Sequence, residues 1–156
     1  MLRAVPKQSA GLLMYRRRGT TLEVLLVHPG GPFWASRDAG AWTLPKGEFD
    51  DRETALDAAR REFVEETGVV PEGPFLALTP IRQKAGKVVH AWAFAGDCDP
   101  AKLTSNEFTM EWPPRSGKYA SFPEVDRAAF FTIAGARAKI NPAQLALLEE
   151  LERLLA

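Results

Sequence analysis

Apolar residues recur along this chain in two rhythms, every second residue in some stretches and every third or fourth in others. Ala10–Tyr15 and Leu22–His28 read as two strands joined by a polar turn over Arg16–Thr21. Within the second, Val24–His28 is apolar on both faces, which predicts a strand in the middle of a sheet. Phe75–Ile81 and Lys87–Ala95 read as a hairpin around Ala85-Gly86. In its second arm His90, Trp92 and Phe94 share one face, and Val89, Ala91 and Ala93 the other. That alternation makes His90 a packed strand residue rather than a catalytic one, and His28 reads as structural too. Phe108–Trp112 and Arg127–Phe131 are shorter candidate strands.

The longer rhythm marks three helices. One begins near Glu53 or Thr54 and stops at Gly68, a residue suited to the left-handed conformation past a helix end. Leu56, Ala59 and Phe63 form its apolar stripe. A short helix is expected over Thr132–Lys139. Asn141-Pro142 then reads as a cap and first-turn proline for a helix ending near Leu155. Its Leu145, Leu148, Leu151 and Leu155 stripe suits either the core or a dimer face.

Gly, Pro and Ser punctuate the rest. Phe49-Asp50-Asp51 reads as loop, as do Asp97–Asn106 and the stretch from Pro113 to Pro123. The longest loop follows His28 and carries Phe33 and Trp34, which suit either a base-stacking platform or a hydrophobic latch over the core. Strands and helices thus alternate, an α/β pattern. With 156 residues and no repeat, low-complexity tract or linker, one domain over residues 1–156 is expected.

Composition narrows the function. Lys+Arg and Asp+Glu balance at 20 each, so no basic footprint argues for long nucleic acid as a partner. The lone Cys98 excludes an intramolecular disulfide and leaves no thiolate cluster for zinc. Neither a secretory leader nor a membrane-spanning run is visible, so a cytoplasmic protein, monomeric or homodimeric, is expected.

Candidate chemistry concentrates between Gly47 and Val69. At 100° per residue Glu62, Glu65 and Glu66 share one helix face, where they repel unless something positive sits among them. A solvated acidic face answers that, and so does a site for a hard divalent cation. The whole stretch resembles the Nudix box, G-x5-E-x7-R-E-U-x-E-E-x-G-U with U apolar. Gly47, Glu53, Arg61, Glu62, Phe63, Glu65, Glu66, Gly68 and Val69 occupy its fixed positions. The chain is therefore identified as resembling the Nudix hydrolases.

The resemblance implies a mixed sheet sandwiched between helices, with the box as a loop-helix-loop. It also implies hydrolysis of a pyrophosphate linkage in a small nucleotide, dependent on Mg²⁺ with Mn²⁺ able to substitute. Carried over residue by residue, it makes Glu62, Glu65 and Glu66 metal ligands, with the Gly47 carbonyl as a further one. Arg61 would orient a glutamate, and Glu53 would act from behind the ligands or bind the ion through a water. The general base varies within the family. Glu124, six residues before Phe130, resembles a late-loop glutamate of diadenosine-tetraphosphate hydrolases and is a candidate base or extra ligand. Glu62 is its rival, with Glu107 and Glu111 further candidates.

Leu44-Pro45-Lys46-Gly47 resembles the LPKG entry of members acting on dinucleoside polyphosphates or diphosphoinositol polyphosphates. Lys46 is then a phosphate contact. Trp34, Arg115 and Lys118 are further candidate substrate contacts on loops. The substrate expected is a nucleoside or dinucleoside polyphosphate. Two alternatives share the fold: a nucleotide-binding regulator without turnover, and a decapping-like hydrolase of RNA ends.

Overall fold

The computed structural model describes residues 6–156. The expectation of no secretory leader rests partly on residues 1–5, which lie outside the described residues. The elements run β1 (Gln8–Arg18), β2 (Thr21–Pro29), β3 (Lys46–Phe49), α1 (Ala55–Thr67), β4 (Leu76–Ala77), β5 (Ile81–Arg82), β6 (Val88–Ala95), β7 (Glu107–Glu111), β8 (Tyr119–Pro123), β9 (Val125–Thr132), α2 (Ile133–Lys139) and α3 (Leu145–Leu154). A mixed sheet in the order β4-β6-β1-β2-β9 forms the centre; β3 also pairs with β1, and β5 with β6.

Two apolar layers follow from the alternation along the strands. Ala10, Leu12, Met14, Leu25 and Phe94 face α1 and meet Ala58, Ala59 and Phe63. Leu13, Val24, Leu26, Ala91 and Ala93 face the other way, onto Leu147, Leu148 and Leu151 of α3 and Ala136 of α2. The sheet is thus sandwiched between helices, as expected. Leu148 and Leu151 are fully buried, so the α3 stripe belongs to the core rather than to a dimer face.

β1 positions the box. Its first half, Gln8–Gly11, pairs with β3, and its second half, Tyr15–Arg18, pairs with β2, both antiparallel and along the same edge. Between these partners the edge is held by the Leu12 N–H, which donates to the Pro45 carbonyl at 3.2 Å. Gly11 is required there, because a Cβ would collide with the Pro45 carbonyl and the Lys46 side chain. The Leu44-Pro45-Lys46-Gly47 segment is therefore fixed against the central strand before α1 begins.

Several sequence expectations need correction. Arg16, Arg17 and Arg18 belong to β1 rather than to a turn, since only Gly19 and Thr20 separate the paired strands. Phe49 closes β3 instead of opening a loop. Phe75–Ile81 is not one strand: β4 and β5 pair with separate parts of β6, and Pro80 supplies no backbone N–H between them. The loop expected between Pro113 and Pro123 is half strand. β8 pairs with β7 through Phe108↔Phe122 and Met110↔Ala120, a two-stranded hairpin separate from the main sheet.

Candidate functional site

α1 is set by its ends. The Thr54 hydroxyl accepts the Asp57 N–H, and Gly68 takes a left-handed φ of 76° while its N–H returns to the Val64 carbonyl. Phe63 locks the helix to the sheet, edge-on to Phe94 at 5.3 Å between ring centroids. With that face buried, the glutamates are held at the rim between α1 and β3. Glu62 and Glu66 are each only 8% exposed, unusual for carboxylates.

The partners of the four box acids differ. The Arg61 guanidinium binds Glu53 (Nη2–Oε1 2.6 Å), Glu62 (Nη1–Oε1 2.9 Å) and Glu65 (3.3 Å) together. Glu53 thus reaches the cluster only through Arg61, and that bond holds its carboxyl below the ordinary range. Among the described residues Glu66 has no cationic side-chain partner; its Oε2 accepts the Lys46 N–H at 2.9 Å. Burial first, then the nearby Glu62 charge, lifts the Glu66 carboxyl well above its ordinary value. Burial also raises Glu62, despite its bond to Arg61.

Glu124 arrives from the turn between β8 and β9. Its backbone is held on both sides: the N–H donates to the Asn106 carbonyl at 2.8 Å, and its own carbonyl accepts the Gly30 N–H at 2.9 Å. Asn106 in turn donates its N–H to the Glu65 carbonyl at 2.8 Å, tying the turn to the end of α1. Burial and the Glu65 charge raise the Glu124 carboxyl, and its charge is felt at both Glu62 and Glu66. Glu107 and Glu111 lie on β7; Glu111 accepts the Arg115 N–H at 2.6 Å.

Among the described residues, no three acidic, histidine or cysteine side chains form a ready-made metal cage. The donor set nevertheless fits a hydrated hard cation. Mg²⁺ is ordinarily held by one or two carboxylates, with waters and phosphate oxygens completing its shell, rather than by an all-protein cage. Buried, mutually repelling Glu62 and Glu66 supply such carboxylates, and the close contact of Glu62 with the Gly47 backbone keeps one of them in place.

Lys46 stands beside the acids. Burial first, then the nearby Lys87 charge, lowers the basicity of its ammonium against the pull of the Glu66, Glu48 and Glu62 charges, and it forms no ion pair among the described residues. Behind Glu66 opens a cavity of about 390 Å³, whose walls include Trp42, Leu103, Val125, Asp126 and Arg127. Arg115 and Lys118, both exposed, sit at the tip of the β7–β8 hairpin and make no bond to the box acids. Trp34 is 37% exposed and Phe33 59%, so neither is a latch over the core.

Both histidines are structural. His90 Nε2 bonds Gln8 Oε1 at 2.6 Å. Fully buried His28 spans Asp126 Oδ1 at 2.7 Å and the Arg37 carbonyl at 2.6 Å. Sequence reasoning missed Asp126 on the cavity wall and the aromatic face of the hairpin. The alternation of Phe108, Met110 and Trp112, answered by Ala120 and Phe122 across the Pro113–Lys118 turn, carried the signal for the latter.

Comparison with known proteins agrees with this geometry. The profile of the NUDIX domain matches residues 5–151. Relatives include the RNA pyrophosphohydrolase of Erythrobacter litoralis, 36% identical over 63 residues (40% of this chain, 34% of that protein). The asymmetrical bis(5'-nucleosyl)-tetraphosphatase of Rattus norvegicus is 35% identical over 97 residues (54% of this chain, 62% of that protein). The matches thus span less than two thirds of these relatives' own lengths. A C. elegans Ap4A hydrolase binary complex superposes with a TM-score of 0.67 at 21% identity, covering 94% of this chain and 97% of that one. The NUDIX domain of Shewanella oneidensis NrtR, complexed with ADP ribose, gives 0.66 at 18% identity, covering 99% and 91%. With the box helix, its acids and the sandwiched sheet all in place, the chain belongs to the NUDIX domain family.

Proposed function

We propose that this protein is a divalent-metal-dependent pyrophosphohydrolase acting on a nucleoside or dinucleoside polyphosphate. The observation that carries the reading is the pair of buried carboxylates, Glu62 and Glu66, which feel the Glu124 charge, with the Lys46 ammonium, free of ion pairs among the described residues, alongside. Burying repelling charges costs stability unless a cation offsets them. Glu62, Glu66 and the Gly47 carbonyl would hold Mg²⁺ or Mn²⁺, with Glu65 or Glu124 joining when substrate is bound. Such an ion supplies charge neutralisation for the phosphates and acidifies a bound water.

The chain's own groups divide the remaining work. Lys46 binds a phosphate oxygen, and the cavity beyond Glu66 receives a base or ribose. Arg61 holds Glu62 and Glu65 in position, and Glu53 holds Arg61. Water attacks one phosphorus as the anhydride P–O bond opposite it breaks. Glu124 takes the water's proton; among the described residues its side chain is tied to no cation, whereas Glu62 is already engaged by Arg61. Trp34, Arg115 and Lys118 are proposed outer contacts for the rest of the substrate.

The dinucleoside reading is supported by the rat tetraphosphatase, which aligns over more than half of the chain. The RNA pyrophosphohydrolase relatives favour a second reading, removal of pyrophosphate from RNA ends. Incubation with diadenosine tetraphosphate, nucleoside triphosphates and triphosphorylated RNA in ¹⁸O-labelled water identifies both the compound cleaved and the phosphorus attacked. No cleavage of any of them would overturn the hydrolase reading in favour of a nucleotide-binding regulator.

A further inference from the structure

The β7–β8 hairpin pairs with no strand of the main sheet, and an isolated two-stranded hairpin is marginal in water. Its apolar face carries Phe108, Met110 and Trp112, with Phe122 opposite Phe108. The segment after β2 packs against that face. Gly31, at φ 95°, lies so close to the Phe108 ring that a Cβ would press into it. Phe33 meets Trp112 edge-on, with centroids 5.6 Å apart and planes at 87°. The contact leaves Phe33 59% exposed, and beside it Trp34 is 37% exposed with the Arg37 guanidinium 5.4 Å from its ring. Tyr119, Arg115 and Lys118 extend the hairpin outward, all exposed.

This aromatic arm is rooted at the acids. Gly30 bonds Glu124, Glu124 bonds Asn106, and Asn106 bonds the Glu65 carbonyl. Phe33 follows Gly30 by three residues, so its Cα lies within roughly 11 Å of that of Gly30 even with the chain fully extended. The cavity beyond Glu66 involves none of these rings; it is walled by β9 and the 97–106 connection. The carboxylates are therefore joined to two separate places fit for a ring: the cavity beside Glu66, and an exposed aromatic face with cations interleaved. Exposed aromatic faces with interleaved Arg and Lys are the physical makings of a base-stacking platform.

We propose that Phe33 and Trp112 form a stacking platform for the distal nucleobase of a two-nucleoside polyphosphate, whose proximal nucleoside occupies the cavity at Glu66. The proposal rests on the pyrophosphohydrolase reading and assigns that site its substrate class. Arg115 and Lys118 contribute positive charge along the path of the outer phosphates. One nucleoside alone cannot fill both places, so the arm selects for substrates with two.

The test compares diadenosine tetraphosphate with adenosine tetraphosphate. Phe33→Leu keeps apolar cover on Trp112 but removes the π-face; Phe33→Tyr restores it. In Phe33→Leu the ratio of kcat/KM for the two-nucleoside over the one-nucleoside compound should fall about tenfold, within what base–aromatic stacking supplies, and the fall should lie in KM. Phe33→Tyr should recover the ratio. An unchanged ratio, or equal slowing of both compounds, overturns the arm as a platform. Should the wild type cleave neither compound, metal-free titration still decides. Saturable quenching of tryptophan fluorescence by diadenosine tetraphosphate that weakens in Phe33→Leu upholds the platform. Equal quenching in wild type and variant, or none, overturns it.

Discussion

The Glu62 carboxylate lies against the backbone of Gly47, where a Cβ on residue 47 would overlap it. Fifteen positions apart in sequence, these two residues join β3 to α1 at the point where the acids gather. Gly47→Ala should displace Glu62 or push β3 from β1, costing about 1–3 kcal/mol as overpacking does. Thermal unfolding together with Mn²⁺ titration by electron paramagnetic resonance checks it. Full metal affinity in a protein of unchanged melting temperature would contradict the placement of Glu62.

Glu66→Gln removes one buried charge while keeping shape and the acceptor for the Lys46 N–H. Turnover on the best substrate should fall by about two orders of magnitude or more, with the metal-free protein no less stable than wild type. Wild-type kcat in this variant would remove Glu66 from the metal site. The expected stability follows from burial, since an unpaired carboxylate inside a protein is a cost rather than a support.

Arg61 supports three carboxylates at once, through a fork that lysine cannot reproduce. Arg61→Lys should therefore lower kcat by about tenfold to a hundredfold and leave KM near the wild-type value, the signature of misplaced ligands rather than lost substrate contacts. Steady-state kinetics at saturating Mg²⁺ read this directly. A pure KM effect would instead put Arg61 on the substrate.

Two groups of acids pull stability in opposite directions with pH. Glu62, Glu66 and Glu124 have raised carboxyls, so their contribution is present at low pH and is lost as pH rises through their folded values. Glu53 and Asp50 are depressed, Asp50 to about 2 by its hydrogen bonds from Arg52, so their contribution is lost only as pH falls below the ordinary carboxylate range. Metal-free protein should accordingly be most stable in mildly acidic solution. Mg²⁺ should raise the melting temperature more at about pH 8 than at about pH 5, where the raised acids take protons in place of the ion. Fluorimetric melts with and without Mg²⁺ at both values test it; an equal shift would place the ion elsewhere.

The amino-acid sequence by itself determined the box helix to within two residues. Thr54, Gly68 and the Leu56–Ala59–Phe63 stripe act locally, through a cap, a left-handed stop and a helical period, and none needs a distant partner. It also determined the two faces of β6 and the core role of β2, since burial on a sheet is written in alternation. The tertiary structure alone decided that Glu66, and not Glu65, is the buried acid free of Arg61. It brought Glu124 beside the box by bonds through Gly30, Asn106 and Glu65, and it laid the β7–β8 hairpin against Phe33. Those features depend on contacts between residues from 18 (Asn106 and Glu124) to 94 (Gly30 and Glu124) positions apart, which no local period or cap encodes.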